Sequence, residues 1–195
     1  MRTAMLVLSF AMLPATAAAA PETYTFDPHH TFVHFGIDHN DFSTIWGRFD
    51  KSSGKFTIDR QAQSGTLEVT VETASVTTGD NVRGDRPRSR DEHLRSPDFF
   101  NSVEFPRMVY RGSSVKFNGE VPAEIRGQLT LLGVTKPVNL TVDRWRCAPH
   151  PVTKRWICGG NAAGTLKRTD FGMKWGVPVA GDDVKIVVTF EAFRD

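Results

Sequence analysis

Leu67, Val69 and Val71 alternate with Thr66, Glu68, Thr70 and Glu72, and the same two-residue rhythm returns along most of the chain. Successive side chains of a β-strand point to opposite faces, so this pattern requires half-buried strands. Ile125, Gly127, Leu129 and Leu131 repeat it, as do Val138, Leu140 and Val142, and Ile186, Val188 and Phe190. Shorter versions occur at Gly47 and Phe49, at Phe56 and Ile58, and around Met108, Tyr110, Val115 and Phe117. Clusters of Gly, Pro, Asn and Asp separate the runs, which argues for an all-β, antiparallel meander. Central parallel strands would be apolar on both faces, and these are not. Two architectures fit: a sandwich, or an up-and-down barrel of about eight strands, whose closure removes exposed edges. Gly47, Gly127 and Gly164 fall on the inward parity, where they either bend a wall around a cavity or relieve crowding in a filled core.

Two polar residues share the parity of apolar runs. His39 follows Ile37 at the end of the stretch containing Val33 and Phe35, and Arg168 follows Leu166. A buried arginine needs a partner or a ligand, and Asp170 is the nearest acid in sequence. One segment breaks the β pattern. Ser89-Arg90-Asp91-Glu92 has the form of a capping box and predicts a short helix over 89–95, ended before Pro97. The preceding stretch, rich in Gly, Pro and Arg, reads as a solvated loop or a surface for an anionic group.

Residues 1–19 have the pattern of a cleavable export signal: Arg2, an apolar stretch, Pro14 and a run of small residues. The apolar stretch is too short to span a bilayer, which needs about 20 residues. Residues 20–195 are then one domain, large enough for a sizeable core. Without Arg2, 23 basic residues face 22 acidic ones, which excludes the strongly basic balance of a nucleic-acid binder. The two cysteines, Cys147 and Cys158, flank a segment with Pro149, Pro151 and Lys154-Arg155. In an oxidising compartment this spacing predicts a disulfide across a hairpin. The histidines near residue 30 lack the converging ligands that zinc requires, and no metal or nucleophile motif is expected.

Four blocks, in order along the chain, resemble the YceI-like family. They are Tyr24-Thr25-Phe26-Asp27 with His30-Thr31; Arg90 to Phe100 with Phe105-Pro106; Gly127 to Val138; and Arg168-Thr169-Asp170-Phe171-Gly172. The resemblance implies a lipocalin-like barrel around an apolar tunnel, located in the periplasm. It also implies a long-chain isoprenoid or related amphiphile as ligand, a quinone or fatty amide included, with no other cofactor. The tunnel would be lined by Val33, Phe35, Ile37, Phe49, Val69, Met108, Gly127, Leu129, Leu140, Gly164, Ile186 and Val188, with His39, Arg168 and Asp170 as headgroup candidates. The expected protein is a non-enzymatic lipid carrier, not embedded in the membrane, with a homodimer as an option. The alternatives are an enzyme acting on a lipophilic substrate, or an accessory partner of a membrane cytochrome.

Overall fold

The computed structural model describes residues 20–195, and the export signal expected over 1–19 lies outside the described residues. The chain forms β1 (Glu22–Phe26), β2 (Phe32–His39), β3 (Ser43–Phe49), β4 (Ser52–Asp59), β5 (Ser64–Glu72) and β6 (Val76–Thr77). After helix α1 (Arg90–Arg95) follow β7 (Arg107–Asn118), β8 (Val121–Leu131), β9 (Val134–Pro149), β10 (Trp156–Lys167) and β11 (Ala180–Arg194). Every pairing is antiparallel, and β1 closes the sheet against β11.

The first six strands are three long strands, each bent midway. β2 pairs with β3 and β1 with β4; β4 pairs with β5 and β3 with β6. Both β1 and β2 lie along the same edge of β11, through Phe26↔Ala192 and Phe32↔Thr189. Counted this way the molecule is an eight-stranded, up-and-down barrel in which each strand neighbours the next. The barrel reading is therefore correct and the sandwich is not.

Two parity changes in the sequence mark β-bulges. Inward Met108 and Tyr110 give way to inward Val115 and Phe117 because the β7–β8 register skips Ser113. On β9 inward Val142 gives way to Trp145 because the β9–β10 register skips Asp143. A bulge inserts one residue on one strand and flips everything beyond it.

One end of the barrel is filled by aromatic rings. Tyr24 stacks on Phe56 at 4.8 Å, Phe56 meets Trp145 and Phe190 edge-on, and Trp145 and Phe190 pack tilted, all within 6.2 Å. At the other end, residues 78–106 leave the sheet as an excursion carrying α1. Its capping box forms as predicted: the Ser89 hydroxyl accepts from Glu92 N, and Glu92 accepts from Ser89 N. Buried Asp91 accepts from the backbone and hydroxyl of Thr78 at 2.8 and 2.7 Å, and Arg95 donates to the carbonyls of Ala74 and Val76. These bonds hold the helix against the barrel rim.

Candidate functional site: an apolar tunnel

The inward faces of the strands do not meet. They enclose a cavity of about 1060 Å³. Ten of the twelve expected lining residues line it: Val33, Phe35, Ile37, Phe49, Val69, Met108, Leu129, Leu140, Ile186 and Val188. The lining on β8 runs from Pro122 to Leu131, which at ~3.3 Å per residue and ~40° of strand tilt is roughly 23 Å of tunnel. Val33, Phe35, Ile37, Val184, Ile186 and Val188 stay only half-buried because their side chains face this empty volume.

Gly127 and Gly164 are the exceptions, and they correct the expectation. Neither lines the cavity. A Cβ at Gly127 would lie 2.5 Å from the ring of Tyr110, which crosses the strand there, and one at Gly164 would meet the Asn139 carbonyl at 2.6 Å and Leu140 at 2.8 Å. The glycines let neighbouring side chains and backbone close up; they relieve crowding in the wall. Tyr110, which the sequence reading did not single out, lines the cavity and donates its hydroxyl to Val138 O at 2.9 Å. Burial pushes its phenol up to about 12.

The mouth is built from three pieces. The first is the β2–β3 turn, where Asn40 and Asp41 take φ of 57° and 58°, the left-handed pair that a tight hairpin turn demands. The second is the 172–180 loop, and the third is the 78–106 excursion. His93 of α1 joins the last two, with its ring 4.5 Å from that of Trp175. Asp98 accepts from Arg88 at 2.8 Å and contacts His93 Nε2 at 2.9 Å. The hydrogen bond from Arg88, reinforced by His93, holds the Asp98 carboxyl below its usual range. His39 sits exposed on the rim. Trp175 and Val179, also on the rim, were missed; their only sequence signal is bulky apolar residues stranded in a Gly- and Pro-rich loop.

Arg168 is 1 % exposed, and its environment differs from the one expected. It does not pair with Asp170, which lies exposed outside the cavity lining. Nε donates to Gly181 O at 2.8 Å, Nη1 to the carbonyls of Met173 and Trp175, and Nη2 to Ala180 O at 2.9 Å. Four of the five guanidinium N–H groups are thereby engaged. Burial lowers the pKa of Arg168, and the nearby Asp182 charge opposes that shift. Asp182 itself accepts from Thr169 N and Oγ1. Burial raises the Asp182 carboxyl, but these hydrogen bonds and the charges of Lys167 and Arg168 outweigh it and leave it below its usual range. Arg168 borders the tunnel while stapling the loop that forms its mouth.

Among the described residues one trio could approach a metal: Asp27, His30 and Glu191, with ligand atoms within 4.8 Å. The turn between β1 and β2 already uses it. Asp27 accepts from His29 N at 2.9 Å and pairs with His30 Nδ1 at 2.7 Å. At the barrel's far end Cys147 and Cys158 stand opposite each other in the register and are disulfide-bonded. No helix among the described residues is long and apolar enough to cross a membrane.

Comparison with known proteins agrees with this geometry. A family profile described as a YceI-like domain matches residues 24–192. A UPF0312 protein of Pseudomonas aeruginosa is 36 % identical over 98 % of this chain and 96 % of its own length. The crystal structure of a Campylobacter jejuni YCEI protein superposes with a TM-score of 0.66 at 25 % identity, covering 81 % of this chain and 90 % of that one. A domain from Saccharophagus degradans, described as polyisoprenoid binding and implicated in plant cell wall breakdown, shares the fold. Its TM-score is 0.61 at 16 % identity, over 88 % of this chain and 98 % of that one.

Proposed function

The chain belongs to the YceI-like family, and on that premise we propose that it is a carrier holding one long-chain isoprenoid or related amphiphile inside the barrel. The observation that carries this reading is the tunnel: about 1060 Å³ walled by Val, Ile, Leu, Phe and Met side chains from all around the barrel. Each CH₂ moved from water into such a wall is worth about 0.8 kcal/mol. An extended hydrocarbon can thus be held without a catalytic group or a metal. Head-group selectivity falls to the polar residues at the mouth, where His39 is exposed. Arg168 contributes by fixing the loop rather than by direct contact, because its donors already hold carbonyls.

The working compartment in this reading is the periplasm. The disulfide suits an oxidising environment, and residues 1–19 carry the pattern of an export signal. Native mass spectrometry of protein purified from its own host, followed by organic extraction, tests the carrier. One stoichiometric long-chain species per barrel is expected. Protein that arrives consistently empty, or that carries a water-soluble compound, would sink the proposal.

A further inference from the structure

The β9–β10 hairpin does something the barrel does not need. Beyond Thr141, β9 loses β8 as a neighbour, and beyond Ile157, β10 loses β11, so the hairpin tip extends past the barrel wall, with His150 and Arg155 packed against Phe193 of β11. The Cys147–Cys158 bridge ties the two strands at its base. Residues 143–155 contain four basic side chains, Arg144, Arg146, Lys154 and Arg155, against the single acid Asp143. That local excess exceeds the net charge of +2 on the whole chain.

All four basic side chains are exposed, and none forms an ion pair among the described residues. Of the carboxylates at this end, Glu22 is held by Arg60 and Arg194 and Asp195 by Lys55, while Glu120 in the β7–β8 turn is exposed and forms no ion pair among the described residues. At the apex, between the basic strands, Val152 is 80 % exposed. Arg155 stacks over the Phe193 ring at 4.4 Å and Lys154 donates to Pro151 O at 2.8 Å, but none of the four charges is neutralised by an acid among the described residues. Exposed cations around an apolar tip, on a braced arm, match a surface that is negative outside and apolar beneath.

We propose that this hairpin docks the protein on a bilayer containing anionic phospholipid. The cations face the headgroups and Val152 enters the interface. The proposal does not depend on what the tunnel holds. The closed aromatic end would lie toward the bilayer and the open mouth away from it. An acidic protein or a nucleic acid would also meet the charge; binding to neither vesicle type would point to one of these instead.

Flotation of the full-length processed protein with vesicles tests it. One set is phosphatidylcholine alone; the other also contains phosphatidylglycerol. Binding to the second set only, falling steeply with added salt as the charges are screened, is expected. Each basic residue near such a surface is worth about fivefold in partitioning, so Lys154→Gln with Arg155→Gln should weaken binding about 25-fold. Arg155 lies over the Phe193 ring at 4.4 Å, so that pair should melt slightly below the parent. Arg144→Gln with Arg146→Gln, which loses neither an ion pair nor a ring contact, serves as the second variant and should keep the parent's melting temperature. Three results would overturn the proposal. They are equal binding to both vesicle types or to neither, parent-like binding by the charge variants, and loss of binding on changing the mouth residue Val179→Ser while the hairpin variants still bind.

Discussion

Arg168 shows how far parity reasoning reaches at the scale of one residue. Its position after Leu166 correctly marked it as buried beside the cavity, since side-chain direction follows from strand alternation alone. Its partners were not legible. They are carbonyls of Met173, Trp175, Ala180 and Gly181, brought to the guanidinium by a loop whose path no local pattern encodes. Gly127 carries the same lesson: parity placed it inward, but only the fold shows that the Tyr110 ring occupies the space in front of it. Arg168→Lys keeps the charge and loses the fork that reaches separate acceptors. Leaving several of those carbonyls unmatched should cost about 3 kcal/mol or more, visible as a lower midpoint in a thermal or urea melt. Because the loss acts through the mouth loop, binding of a polar-headed lipid and of a plain hydrocarbon should fall together. A variant that melts like the parent, yet discriminates less between the two, would instead assign Arg168 to headgroup contact.

At the scale of elements the strands were the most legible part, because each needs only its own alternation and turn residues. The helix was legible for the same reason, its capping box being a local signal. The bulges left a readable trace as well, in the parity switches between Tyr110 and Val115 and between Val142 and Trp145. The hairpin tie at Cys147 and Cys158 followed from cysteine spacing, and the structure pairs them across β9 and β10. The native protein should take up an alkylating reagent only after reduction. Cys147→Ser should lower the melting temperature, because closing a loop with a sequence separation of 11 is worth about 3 kcal/mol, mainly through the unfolded chain. Lipid content should be unchanged, since the bridge lies past the aromatic plug and neither cysteine lines the tunnel. Free thiols in the untreated protein, detected by mass, would remove the basis for this.

For the whole molecule, what the alternation could not decide was whether the barrel is hollow. A strand facing a filled core and one facing a tunnel have the same period, and the difference depends on distances across the barrel set by strand number and tilt. The closing contact of β1 with β11 joins the two ends of the described chain and is equally invisible locally. Packing now differs along the cavity wall. Phe56 and Phe190 line the cavity but are buried by their contacts with each other, Phe26 and Trp145, whereas Ile186 and Val188 remain half-open to empty space. That contrast gives a direct test of the hollow half. Ile186→Trp places a large ring where the wall faces the cavity, so the ring should fill volume rather than collide with packed atoms. The variant should fold and melt at or above the temperature of the lipid-free parent, since added apolar contact in a void is stabilising. Its copurifying long-chain lipid should drop at least tenfold by extraction and mass spectrometry. Normal lipid content with a normal melt would place the ligand outside this half of the tunnel. A variant melting well below the parent, by the 1–3 kcal/mol typical of overpacking, would show that the space is smaller in solution than the 1060 Å³ seen here.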